Sequence, residues 1–267
     1  MGTSVEVSEE RVPIAEGAVY VKRWTPVEAA TPNRCPIVLF HDSLGCVDMW
    51  RQFPLALCHR LARPVIAYDR LGFGRSSARL GIPSVRFVSE EAESYFPQLK
   101  KRLGVGEFVA LGHSVGGAMA VLVAVKMAAE CLAVVTEAAQ AFVEQKTLKS
   151  IAESKGRFAN SQEMAKLARY HGDKATWVVS AWTETWLSPE FADWNLRSAL
   201  PQVTCPLLAI HGDRDEYGSM EFPTLLSSMT SGYAEKFLIA DCGHIPHREK
   251  EEGVLAKIES FLAIGNI

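Results

Sequence analysis

Six short segments of the chain are apolar at nearly every position rather than at every second one: CPIVLFH (35–41), RPVIAYD (63–69), EFVALGH (107–113), CLAVVTEA (131–138), PLLAIHG (206–212) and KFLIADC (236–242). A strand with one face in water alternates apolar and polar residues, whereas a strand covered on both faces has no use for polar positions. These runs, bounded by turn residues, therefore read as buried strands. An earlier pair, around 5–14 and 18–24, alternates better and reads as an antiparallel ribbon at one edge. Helical periods fill the intervals. DMWRQFPLALCHRLA opens with Asp48 as an N-cap. SVRFVSEEAESYFPQLKKRLG (84–104) carries acid early and base late, as the helix dipole favours, and ends at Gly104. VGGAMAVLVAVKMAAE and EEGVLAKIESFLA supply two more helices. Strand–helix alternation predicts an α/β fold, a mostly parallel sheet with helices on both faces. Such sheets collect functional groups in the loops at the carboxyl ends of their strands.

One interval breaks the rhythm. From about Gln140 to Pro201 no strand is evident, only helical stretches such as SQEMAKLARYHGDKATWVVSAWTETW. Four of the six tryptophans lie here: Trp177, Trp182, Trp186 and Trp194. They serve either to glue an inserted helical segment to the core or to line an apolar pocket beneath a lid. Trp182 and Trp186 are the candidates for the pocket.

Gly112-His113-Ser114-Val115-Gly116 matches G-x-S-x-G, and it stands between a strand and an apolar-periodic helix. In that setting the pattern is a nucleophile elbow, a strained turn that exposes the serine hydroxyl and needs small residues on either side. A serine hydroxyl is a poor nucleophile until a base takes its proton. The motif wants a carboxylate and then a histidine downstream. Of the seven histidines, His244 lies just after the last apolar run, in DCGHIPHRE, where a strand end delivers a residue to the active face. His247 falls on the following helix start, and His113 adjoins the nucleophile with its side chain carried away from it. After the penultimate strand, LLAIHGDRDEYGS offers Asp213, Asp215 and Glu216, and Glu137 is a further alternative. The backbone N–H of Val115, directly after the serine, is one oxyanion donor by construction of the elbow.

These motifs resemble the α/β-hydrolase superfamily from about residue 10 to 264, with a nucleophilic serine where epoxide hydrolases and haloalkane dehalogenases carry aspartate. The resemblance implies an eight-stranded, mostly parallel sheet flanked by helices, with residues 1–139 and 201–267 as core and 140–200 as a helical cap. It favours Asp215, three residues after Gly212, as the acid, with Asp213 closing the turn. HDSLG (41–45) stands where relatives commonly have His-Gly-x-x-Gly, so the second oxyanion donor is Ser43, and Asp42 replaces the usual glycine. YDRLGFGRSS (68–77) is similar to the family's D-x-x-G-x-G-x-S turn, and its Asp69, Gly72, Gly74 and Ser76 read as structural. The expected activity is hydrolysis of a small-to-medium carboxylic ester through an acyl-enzyme, with Ser114, Asp215 and His244 as the triad. A lactonase, a thioesterase or a carbon–carbon bond hydrolase would use the same triad. A ligand receptor on the same fold is the rival of another class, and burst release from a p-nitrophenyl acyl ester separates it from the enzymes.

The remaining features narrow the partners. A net charge of −3 gives no electrostatic case for nucleic acid or anionic membrane. No apolar run approaches the roughly 18–20 residues of a membrane span. The opening stretch MGTSVEVSEERVPIAEG is polar and acidic, without a signal-peptide core. The six cysteines are scattered with no C-x-x-C pair, which argues against a zinc site or disulfide framework and suits a reducing cytoplasm. No metal or cofactor is implied, and the expected partner is a small-molecule ester.

Overall fold

All six apolar runs form strands, as does the N-terminal pair. The computed structural model describes residues 4–27, 34–265 and 267, so residues 1–3 of the polar opening lie outside it. The first half runs β1 (Val5–Ile14), β2 (Gly17–Pro26), β3 (Ile37–Phe40), α1 (Phe53–Leu61), β4 (Val65–Tyr68), α2 (Phe87–Glu90), α3 (Phe96–Arg102), β5 (Phe108–His113), α4 (Val115–Lys126) and β6 (Cys131–Glu137). Then follow α5 (Gln145–Arg157), α6 (Ser161–His171), α7 (Ala175–Trp186), β7 (Leu207–Gly212), α8 (Glu221–Met229), β8 (Ala234–Ile239), α9 (Pro246–Glu249) and α10 (Glu251–Ile264). The eight strands make one sheet in the order β1-β2-β4-β3-β5-β6-β7-β8. β2 pairs antiparallel with β1 and β4, and every later pairing is parallel.

The uniform apolarity of the central strands follows from burial on two sides. Ile37, Val38, Leu39 and Phe40 of β3 are each at most 2% exposed. Val38 and Phe40 join Phe96, Phe108 and Met119 on one face. Ile37 and Leu39 join Phe53, Leu57, Ile258 and Phe261 on the other. Each such side chain contributes about 1.5–3 kcal/mol on burial. β8, at the sheet edge, alternates instead and leaves Leu238 exposed.

From β3 the chain steps outward to β4 and then returns past β3 to β5. The loops after β3 and β5 therefore leave neighbouring strands in opposite directions and open a crevice at the carboxyl edge of the sheet. Between β6 and β7 come the three helices α5, α6 and α7, and a lone bridge between Phe142 and Asn195 joins the two ends of the insertion. Leu167, Val178 and Val179 of these helices pack on Phe73.

Two helix readings need correction. Asp48 caps nothing: it lies inside a short 3₁₀ turn, Val47–Trp50, and pairs with Arg75 at 2.8 Å. α1 starts only at Phe53, because Arg51 takes a left-handed φ of 55° and Pro54 suits a first helical turn. The segment 84–104 is also not one uniform helix. It passes from α2 through a π turn, Glu91–Tyr95, into α3. Pro97 has no N–H for the helical ladder and accounts for the break.

Candidate active site

β5 runs straight into α4 through Ser114, whose φ of 57° and ψ of −128° lie outside the regions that L-residues favour. Such a conformation costs about 1–3 kcal/mol and persists only where the surroundings enforce it. Here they do. A Cβ on Gly112 would lie 2.1 Å from the Gly116 carbonyl, and one on Gly116 would lie 2.1 Å from the Phe40 carbonyl. The glycines let the elbow close against itself and against the end of β3. The Ser114 N–H donates to Glu137 O at 2.8 Å and locks the turn to β6.

Asp215 and His244 come from the loops after β7 and β8. Those loops pack closely, since a Cβ on Gly212 would lie 2.2 Å from the Cys242 carbonyl. His244 Nδ1 stands 2.9 Å from each Asp215 carboxylate oxygen, and His244 Nε2 stands 3.0 Å from Ser114 Oγ. A carboxylate only accepts, so the ring proton sits on Nδ1 and Nε2 is left free to accept from the serine. Asp215 Oδ1 also accepts from Tyr217 N–H at 2.7 Å and Gly218 N–H at 3.1 Å. Burial pushes the Asp215 carboxyl up, but the facing His244, His211 and the Tyr217 N–H outweigh it and hold the group below its ordinary range. The competing acids are engaged elsewhere. Asp213 Oδ1 accepts from Cys242 N–H at 3.3 Å, and Glu137 Oε2 holds His247 Nδ1 at 2.8 Å. Glu216 lines the cavity without reaching His244.

Asp42 itself shapes the loop 41–45. Asp42 Oδ1 accepts from Leu44 N–H at 2.7 Å, a local turn that needs no glycine. His41 Nε2 accepts from the Arg70 N–H at 3.1 Å, and the Arg70 guanidinium donates to the Asp42 carbonyl at 2.7 Å. The N–H groups of Ser43 and Val115 donate to no other described residue. A cavity of about 230 Å³ lies over the serine, lined by Ser43, Ser114, Gln140, Trp182, Tyr217 and His244 among others. Trp182 also borders a neighbouring cavity of about 30 Å³, and Trp186 lines that one but not the cavity over the serine. Trp186 is a core residue, packed on Phe191 and Trp194.

A family model described as the alpha/beta hydrolase family matches residues 37–257. The chain belongs to that family. The 1-acylglycerol-3-phosphate O-acyltransferase ABHD5 of Sus scrofa is 34% identical over 110 residues, 39% of this chain and 30% of that protein. The (lyso)-N-acylphosphatidylethanolamine lipase of Homo sapiens is 30% identical over 106 residues, again 39% of this chain and 30% of the relative. The matches thus span less than a third of either relative's length. The 2-hydroxy-6-oxo-6-phenylhexa-2,4-dienoate hydrolase of Rhodococcus sp. strain RHA1 shares the fold, with a TM-score of 0.78 over 97% of this chain and all of that one at 16% identity.

Three features of this alpha/beta hydrolase were hidden in its sequence. Gln140, three residues past β6, brings Oε1 within 3.2 Å of Ser114 Oγ. No local pattern marks it, because only the register of β6 against β5 carries it there. Tyr217 stacks obliquely on the His244 ring at 4.8 Å between centroids. His113 does turn away from Ser114 Oγ, yet it stays in the site: Nδ1 lies 3.2 Å from Asp42 Oδ2 and Nε2 lies 2.7 Å from the His244 carbonyl. The aspartate in place of the usual glycine was the available signal. Among the described residues there is no cluster of three or more side chains suited to a metal ion, and no helix long and apolar enough to cross a membrane.

Proposed function

We propose that the chain hydrolyses a small-to-medium carboxylic ester through an acyl-enzyme on Ser114. The observation that carries the reading is the relay Asp215–His244–Ser114, with contacts of 2.9 and 3.0 Å, a geometry that calls for the ring proton on the Asp215 side. His244 Nε2 takes the hydroxyl proton as Oγ attacks the ester carbonyl. The resulting imidazolium faces the ionised Asp215. The backbone N–H groups of Ser43 and Val115, without partners among the described residues, receive the oxyanion. The tetrahedral intermediate collapses, His244 returns the proton to the leaving alcohol, and the acyl group stays on Oγ. Water gives a proton to His244 and attacks the acyl carbonyl; the second tetrahedral intermediate then breaks its bond to Oγ, His244 returns that proton to Ser114 Oγ, and the acid is released.

The cavity of about 230 Å³ supports a modest substrate, since ligand pockets commonly fall at about 300–1,000 Å³. In this reading residues 140–200 act as a cap over the core formed by 1–139 and 201–267, and Trp182 lines the substrate pocket. The two relatives, an O-acyltransferase and a lipase, support acyl chemistry at this site over the 30% of their length that matches. Six free cysteines support a reducing compartment, the cytoplasm. The test is a fluorophosphonate probe with Ser114→Ala. Labelling should map to Ser114, and the variant should stay folded with no turnover of p-nitrophenyl butyrate. Turnover surviving in the alanine variant, or labelling at another serine, would overturn the assignment.

A further inference from the structure

His113 has an acceptor at each ring nitrogen, the Asp42 carboxylate at 3.2 Å and the His244 carbonyl at 2.7 Å. A neutral imidazole carries one N–H, so one of these contacts would set a lone pair against a lone pair. Only the imidazolium satisfies both. His113 is 2% exposed and both acceptors are in direct contact with its ring, which leaves no room for a water between them. We infer that His113 is a buried imidazolium that ties the loop after β3, which carries Ser43, to the loop after β8, which carries His244. It is a positioning residue: it touches no reacting atom, yet one proton holds the two loops in register.

The charges around the ring agree. The loop after β3 presents Asp42, and the end of β6 presents Glu137. From the loop after β8 and from α9 come the rings of His244 and His247, both 5.1 Å away between centroids. Trp50 adds an uncharged edge at 6.3 Å. Arg248 of α9 acts on Asp42 from a distance, and its own side chain donates to the Met49 carbonyl. Burial pushes His247 below the ordinary histidine range, which leaves His113 to balance the two carboxylates. Burial also opposes the charge on His113, but the Asp42 hydrogen bond and charge, with Glu137 and the His244 carbonyl, outweigh it and raise the group. Asp42 in turn is held well below the usual carboxylate range, burial being overcome by its hydrogen bond to His113 and the charge there. Because the folded pKa is raised, the tie is complete below the ordinary histidine value of about 6.5 and is lost as pH rises through the folded value.

Resting on the ester-hydrolase reading, this adds an alkaline limb to kcat/KM set by a group outside the triad. The experiment is nitrogen-15 NMR of the histidine side chains, run beside pH–rate profiles on p-nitrophenyl acetate. The parent should show one ring, absent in His113→Gln, with both nitrogens protonated at about pH 7, above the ordinary histidine value. Asp42→Asn should lower the titration of that ring by about 1–3 pH units, the usual effect of losing an adjacent opposite charge. The alkaline limb of kcat/KM should move down with it. A neutral His113 in the parent at that pH, or an Asp42→Asn titration that does not move, would overturn the inference. If His113→Gln fails to fold, the ring is identified by its shift in Asp42→Asn, whose side chain is partly exposed. The NMR reading needs no turnover: a charged His113 in a protein that hydrolyses no ester would sink the functional reading alone.

Discussion

Asp215→Asn keeps the side chain's volume and removes one property, acceptance at both oxygens. In the parent, Oδ1 already receives the Tyr217 and Gly218 N–H groups at 2.7 and 3.1 Å. Its two lone pairs are then committed. The variant amide keeps its oxygen on those two donors, because turning it would bury two N–H groups against an NH₂ at about 1–3 kcal/mol each. The NH₂ therefore takes the place of Oδ2, 2.9 Å from His244 Nδ1. Nδ1–H keeps only the already committed Oδ1, also at 2.9 Å, whereas the tautomer with its proton on Nε2 accepts from the NH₂ at Nδ1; that tautomer is favoured, and its Nε2–H points at Ser114 Oγ, where no base remains. The charge effect can be sized separately. A carboxylate about 3 Å from an imidazolium, at an effective dielectric constant of about 20, is worth roughly 5–6 kcal/mol. That is about four decades of rate, matching the loss of about 10⁴ known for the equivalent change in a serine protease triad. Pre-steady-state release of p-nitrophenol from an acyl ester would measure it, with thermal unfolding as the control for folding. Asp213→Asn, at the Cys242 turn, should retain activity within about tenfold. A loss below tenfold in a folded Asp215→Asn protein, or an equal loss from Asp213→Asn, would refute the tautomer argument.

Three further outcomes follow from the packing. Trp186→Ala should lower stability by about 3–5 kcal/mol through the cavity it leaves, whereas Trp182→Ala should chiefly extend the acyl lengths accepted. Urea unfolding and a series of p-nitrophenyl esters distinguish the two, and an acyl preference unchanged in Trp182→Ala would remove that residue from the pocket. Gly116→Ala should cost about 1–3 kcal/mol or more, because the new Cβ would meet the Phe40 carbonyl at 2.1 Å with rigid backbone on both sides. A soluble Gly116→Ala protein with parental Tm and labelling rate would contradict the account of the elbow.

Much of the fold was readable because burial on two faces leaves a plain mark: β3 to β7 are apolar almost without exception, and their shortness sets them apart from α4, which is as apolar but runs for 12 residues. Helix boundaries were less legible. Asp48 has the chemistry of a cap, but Arg51 and Pro54 decide where α1 begins, and the π turn before Pro97 depends on a missing N–H that periodicity does not register. In the site, the positions of Ser114, Asp215 and His244 were legible because each lies in the loop that leaves the carboxyl end of a strand. Gln140 and Tyr217 reach the serine and the histidine through packing between elements far apart in the chain. His113 was half legible: its direction away from Ser114 was foreseeable, but its partners, Asp42 and the His244 carbonyl, lie 71 and 131 residues away.

The bridge between Phe142 and Asn195 gives the inserted helices a narrow neck, reinforced by the Leu196 N–H donating to the Ala141 carbonyl at 2.8 Å. Entry and exit of the chain are side by side there, outside the ladder that pairs β6 with β7. Everything beyond the neck can lengthen, shorten or be exchanged without altering strand register, and each doubling of such a loop costs only about 0.6 kcal/mol of closure entropy. On the proposed reading of residues 140–200 as a cap, material grafted at this neck would meet the same serine, and the roof of the pocket could be rewritten while the triad beneath it stayed in place.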